Sequence, residues 1–314
     1  MRRIRDEGII VKLADKFIWI AGIVLGFLII YLFGVTGNPE EVTAQGSSAV
    51  LWMVGRWNWA GADMSHGWLI PLVSLYMVWW KREELLNSPK NLCWGGFWIV
   101  VIALFLYLMG VRVQQTRLVL VSLIGVLWGI PFFLYGKHIA RILLFPCAYL
   151  VFCIPLTFLD SLTFPLRIIS TTVTTELLNG FGVSVTRIGT AIHINMGKGF
   201  SLDVAHPCSG LRYLLAMVAL TTAYAYFTQK SPLKRGLLSV AAIPLAMAGN
   251  IARITLIALV GVLFGEEFAL GFYHDYSGYV VFGVATMLML GVGSLLNRPW
   301  QTWRLKKPEG HADE

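Results

Sequence analysis

The sequence predicts an all-α polytopic membrane protein with about eight transmembrane helices and both termini in the cytoplasm. Three observations predict it. Hydrophobic residues make up 57% of the 314 residues and charged residues only 13%, where a soluble domain carries about 25% charged residues. So few charges cannot cover a water-soluble surface of this size, and the apolar content excludes a disordered chain. Apolar runs close to the roughly 20 residues that a spanning helix needs recur along the chain. Between those runs the basic residues fall on alternate sides.

The candidate spans follow in order. Phe17–Val35 comes first, preceded by Arg2, Arg3 and Arg5 as in a signal peptide. Its apolar run is too long for a signal core, and Gly34-Val35-Thr36-Gly37 is a poor cleavage site, so it reads as a signal anchor. Gly67–Trp80 is short, and it extends upstream through Met64-Ser65 or starts at the interface. Gly95–Val111, Leu118–Tyr135, Ile139–Leu159 and Cys208–Phe227 come next. Gly236–Phe264 is long, and Pro244 and Gly249 make a kink or break within it plausible. Gly278–Leu296 is the last. Gly22-Ile23-Val24-Leu25-Gly26 is a GxxxG, a pattern too common to argue dimerisation.

The charges orient these spans. Arg2, Arg3, Arg5, Lys12 and Lys16 precede the first; Lys81, Arg82 and Lys90 follow the second; Lys137 and Arg141 follow the fourth. Lys230, Lys234 and Arg235 follow the sixth, and Arg298, Arg304, Lys306 and Lys307 the eighth. These are 17 of the 25 basic residues, and positive loops face the cytoplasm. The net charge of +8 and the pI near 9.4 therefore need no nucleic-acid partner. The predicted location is the plasma (inner) membrane.

Two longer segments fall on the outer face, residues 36–66 and 160–207. The chain reads as one integral membrane domain over 1–314 with 160–207 as an outer loop within it. In that loop the Thr- and Leu-rich stretch Asp160–Phe181 is expected along the membrane surface. Val183–Ile188 and Thr190–Ile194 are clusters of β-branched residues punctuated by Gly189, the pattern of a short β-hairpin. Phe200–Val204 is a candidate third strand.

Three features on the outer side could carry chemistry. The first is His206-Pro207-Cys208-Ser209-Gly210-Leu211-Arg212, where the outer loop meets the sixth span. A cysteine at a helix N-terminus feels the positive end of the dipole, which favours the thiolate. Arg212, four residues on, shares its face. The plainer reading is a small apolar residue at a helix start. The second is Asn250-Ile251-Ala252-Arg253 inside the seventh span. An arginine in mid-span costs about 2.5–3.5 kcal/mol on the lenient insertion scale, so it raises a functional hypothesis by default. Counting along that span sets Arg253 past its middle, 11 residues or roughly 17 Å from its outer end. The third is Phe272–Tyr279, with His274 as a group that exchanges protons near neutral pH. Taken alone, it is an ordinary interfacial aromatic segment.

Topology brings the three toward one membrane face. A nucleophile, a cation and a proton carrier there form a possible cysteine acyl-transfer site. The four cysteines, Cys93, Cys147, Cys153 and Cys208, have no CxxC spacing, so neither a metal nor another cofactor is expected. Cys208 is the outward one, without an obvious disulfide partner. One rival is a transporter that uses Arg253 as a substrate counter-charge. Another is a non-enzymatic scaffold for polysaccharide export.

With these residues in hand, the chain resembles the exosortase/archaeosortase family. The resemblance rests on Cys208–Arg212, on Asn250–Arg253, on His274 and on Ser65-His66-Gly67-Trp68-Leu69-Ile70-Pro71, in the expected order over about residues 60–295. His206-Pro207 departs from the acidic or small residues that many members carry there. The resemblance implies a membrane transpeptidase or protease. Its partners would be membrane-anchored proteins with a C-terminal sorting signal: a short Pro-containing motif, a span and a basic tail. It also implies a link to exopolysaccharide production. Cys208 would form a thioester with the substrate, His274 would act as general acid and base, and Arg253 would stabilise the oxyanion. Arg212, Asn250, Ser209 and His66 would support them.

Overall fold

The computed structural model describes residues 26, 30–35, 48–58, 64–155, 158–196, 199–203, 211–269, 271 and 274–297. Their contacts cluster into two units, Met1–Thr157 and Phe158–Glu314.

In the first unit, α1 spans Ala49–Asn58. A 3-10 turn, Ser65–Trp68, leads directly into α2, Leu69–Trp80. α3 covers Trp94–Arg112 and α4 Thr116–Tyr135. They pack through glycines: a Cβ on Gly96 would sit 2.1 Å from the backbone nitrogen of Phe133, and one on Gly125 2.9 Å from Ala103 Cβ. Close backbone approach of this kind is the usual packing between spanning helices, where no hydrophobic force drives association. At one end of this unit an exposed aromatic group, Tyr76, Trp79 and Trp80 on α2 with Trp94 and Trp98 on α3, stands beside Lys81 and Arg82. The Arg82 guanidinium lies 4.4 Å from the Trp79 ring centroid. Amphipathic rings with basic neighbours are the composition of a membrane interface.

The predicted span Ile139–Leu159 is not one helix. α5 runs from Lys137 to Tyr149, tightens into a 3-10 turn at Leu150–Cys153, and opens at Ile154 (φ −83°, ψ 126°). The cause is Pro155, whose ring drives the preceding residue into extended backbone. Of the predicted first span only residues 26 and 30–35 are described; Tyr107 of α3 packs edge-on against Phe33 and donates to Leu32 O.

The second unit opens with α6, Phe158–Gly180. A three-stranded antiparallel sheet follows, β1 Val185–Ile188, β2 Ala191–Ile194 and β3 Phe200–Asp203, in the order β1-β2-β3. Gly189, at φ +64°, opens the two-residue turn between β1 and β2, where a left-handed residue suits glycine. Then come α7, Leu211–Thr228, α8, Pro232–Phe264, and α9, His274–Asn297. Pro232 starts α8, needing no acceptor at the first helical position, and Gly265 at φ +95° ends it. α8 is helical throughout, across both Pro244 and Gly249.

Among the described residues, four helices are long and apolar enough to cross a membrane: α3, α4, α8 and α9 from Tyr276. The protein is therefore a multi-pass, mainly helical membrane protein with a small sheet.

Candidate active site

The site is built on α8. Its half nearer the N-terminus packs with α7 and α9 around Met217, Ala225, Leu238, Ala242, Ala285 and Met289. Its last turns do something else. Ile254, Ile257 and Ala258 join Leu178 of α6 and Val185, Ile192, Ile194 and Leu202 of the sheet in a second core. Gly261 permits this contact, since a Cβ there would lie 2.2 Å from Phe200 Cζ. The sheet thus rests its apolar face on the end of α8. Its other face carries a polar row, Thr186, His193 and Ser201, in which His193 Nδ1 and Ser201 Oγ are 2.6 Å apart.

Arg253 sits where the two cores meet, with 4% of its surface exposed. Its Nε donates to Ser277 Oγ at 3.3 Å, and Ser277 is itself 5% exposed. Ser277 lies in the first turn of α9, one turn after His274, so the two occupy the same helix face. The structure sets Arg253 level with the first turn of α9. Beyond it, Ile254, Ile257 and Ala258 of α8 pack against the sheet and against Leu178 of α6.

Beside it lies a small, partly open cleft with a volume of about 20 Å³, room for a water-sized group. Arg253 and Asn250 line it with Ala246 and Gly249 of α8, Met217 of α7, and Phe282 and Ala285 of α9. The Asn250 Oδ1 atom is buried and has no hydrogen-bond partner among the described residues.

The remaining sequence-predicted residues fall differently. Cys208 and Ser209 lie outside the described residues, which stop at Asp203 of β3 and resume at Leu211 of α7. Arg212 is the second residue of α7 and His274 the first of α9; their side chains are outside the description. His66 belongs to the first unit, in the 3-10 turn before α2. Both its ring nitrogens are closed off from solvent, and the polar group it meets is the backbone of Phe152. The Gly67 beside it has a packing role. A Cβ there would fall 2.3 Å from Trp57 Nε1, whose N–H donates to Cys153 O at 2.8 Å. Ser277 was not singled out by sequence reasoning, because a serine near a helix start carries no spacing signal of its own.

The family model for transmembrane exosortases matches residues 57–291, most of the chain. This chain belongs to the transmembrane exosortase family. The match starts at the Trp57 that packs on Gly67 and takes in Cys208, Arg212, Asn250, Arg253, His274 and Ser277 of this exosortase-family protein. No curated protein and no solved structure matches the chain.

Proposed function

We propose that this exosortase-family protein is a cysteine-dependent transpeptidase or protease. It cleaves C-terminal sorting signals of membrane-anchored proteins on the outer face of the plasma membrane, in a role tied to exopolysaccharide-associated protein sorting. The observation that carries the reading is the buried Arg253–Ser277 contact in the first turn of the helix that begins with His274. It supports a cation and a proton carrier at one height, in the first turn of α9.

In this mechanism the Cys208 thiolate attacks the scissile carbonyl carbon. Arg253 donates to the oxygen as negative charge develops there. When the C–N bond breaks, His274 gives its proton to the leaving amine, and the acyl group stays on Cys208 as a thioester. An acceptor amine or water then attacks the thioester, giving a proton back to His274 and expelling the thiolate. Arg212, Ser209 and His66 are support for this centre.

The topology belongs to the same proposal: eight spans, both termini inside, the sheet and the site outside. The aromatic and basic residues at the α2–α3 end of the first unit favour that end as the cytoplasmic interface. The substrate's basic tail would be held inside by the same rule, leaving its cleavage motif at the outer surface.

The test is co-expression of a membrane-anchored substrate with the wild-type, Cys208→Ala or Cys208→Ser protein, followed by substrate size on a gel. Loss of processing in both variants, at unchanged protein level, supports the enzyme. A transporter using Arg253 as counter-charge would leave Cys208 dispensable.

A further inference from the structure

The cleft beside Arg253 contains a polar group that the proposed chemistry does not use. Asn250 precedes Arg253 by one turn of α8, and its carboxamide lines the cleft. The carboxamide oxygen is buried without a hydrogen-bond partner among the described residues. Buried acceptors are rarely left so, and each one asks for an explanation. The walls around it are apolar and mostly small: Ala246, Gly249 and Ala285, with Met217 and Phe282. The space admits only a small group, such as a backbone-like N–H reaching in from an apolar body docked at its open side.

One part of the proposed substrate has that chemistry. The first turn of a spanning helix has N–H groups with no acceptor inside the helix, surrounded by apolar side chains. In lipid no water satisfies them. We propose that the first turn of the substrate's own spanning helix docks over the open side of the cleft, and that Asn250 caps it by accepting one of those N–H groups. The proposal rests on the transpeptidase reading and adds to it what holds the leaving side of the substrate.

The charges are complementary: the partial negative oxygen of Asn250 meets the partial positive end of a helix. Asparagine is among the strongest helix-capping side chains, and its terminal torsion is broad enough to turn the oxygen into the cleft. The order along α8 also fits. Asn250 is three residues further from the sheet than Arg253, about 4.5 Å at 1.5 Å per residue. In the substrate, the bond to be cut precedes the span. With the helix start at Asn250, the scissile carbonyl stands one turn higher, at Arg253. Fixing the span in this way holds the carbonyl in reach of the nucleophile, an orientation effect.

The experiment uses the full-length protein in membranes with a reporter that carries a sorting signal, read as initial processing rate. Asn250→Ala is expected to slow processing by about five- to tenfold, the loss expected of one helix cap. Asn250→Ser keeps an acceptor and stays closer to wild type. Placing an aspartate just before the reporter's span supplies its own cap and restores the rate in Asn250→Ala. Equal rates for wild type and Asn250→Ala, or a loss that the self-capped reporter does not relieve, overturn the proposal. Should Asn250→Ala not accumulate, crosslinking decides. In a Cys208→Ala background, Asn250→Cys is expected to crosslink to a cysteine in the first turn of the reporter's span. Crosslinking only to its middle or end overturns the cap. Cys208→Ala alone is run in parallel: full processing there sinks the transpeptidase reading itself, whereas failure of the cap leaves that reading standing.

Discussion

Arg253 donates through Nε to the hydroxyl of Ser277 at 3.3 Å, with both side chains almost fully buried. The contact ties α8 to the first turn of α9 and fixes the direction of the guanidinium. Ser277→Ala removes the acceptor while keeping the volume nearly constant. A hydrogen bond to a charged group contributes about 1.5–3 kcal/mol, so roughly a tenfold or greater fall in processing rate is expected. The loss should appear in kcat, with KM little changed and Ser277→Thr partly restored. A merely structural serine would instead lower the amount of folded protein, with the remaining molecules working at full rate.

Arg253→Lys keeps the charge and discards the planar fork. If the guanidinium serves the developing oxyanion, both Arg253→Lys and Arg253→Ala should lose activity, the alanine variant by about 10²–10³ as for removal of an oxyanion donor. Rates of substrate processing at matched protein levels check this. A transporter would show the contrasting pattern of retained function in the lysine variant.

Gly67→Ala tests the packing side of the family signature. The added carbon would meet the Trp57 ring at 2.3–2.7 Å, so the indole must shift and its hydrogen bond to Cys153 O is strained. Overpacking of this kind costs about 1–3 kcal/mol. A lowered melting temperature in detergent is expected, accompanied by reduced accumulation. An unchanged melting temperature would argue that the first unit repacks freely there.

Gly261→Leu separates the sheet from the membrane helices. Phe200 covers this glycine with its ring at 2.2 Å from a would-be Cβ, and a bulky side chain displaces it. The expected outcome is normal membrane insertion, faster proteolysis within residues 181–203 and reduced processing. Unchanged proteolysis would mean that the sheet is held in place without this contact.

Much of the second unit was legible in the sequence because its signals are local. The β-branched clusters around Gly189 and the stretch from Phe200 read as strands, and the structure has Val185–Ile188, Ala191–Ile194 and Phe200–Asp203. The helix Phe158–Gly180 was harder to read as regular structure, since its many threonines mask an apolar period. In the folded chain those hydroxyls bond back to the preceding turn, Thr171 to Arg167 O, Thr172 to Ile168 O and Thr175 to Thr171 O. Hydropathy alone also carried the Ile139–Leu159 run past Pro155, where backbone sterics stop the helix. At the site, Arg253 was legible as a charge in an apolar run. Its partner Ser277 was not, because which residue of α9 faces Arg253 depends on long-range packing between the two helices.

Topology has an independent check in the cysteines. Cys93 adjoins the start of α3, at the end of the first unit that carries the aromatic and basic residues. An impermeant thiol reagent on intact cells should label Cys208 and spare Cys93 until lysis. The reverse pattern would invert the orientation.

The central claim is that a substrate fragment passes through a thioester on Cys208, and it is tested by trapping that species. Membranes holding enzyme and substrate are quenched in acid and digested, and the peptide containing Cys208 is analysed by mass spectrometry. The account predicts that this peptide carries the N-terminal part of the substrate, that neutral hydroxylamine releases it, and that Cys208→Ala abolishes both the adduct and processing. Full processing by Cys208→Ala, with no adduct on the wild-type peptide, would contradict it.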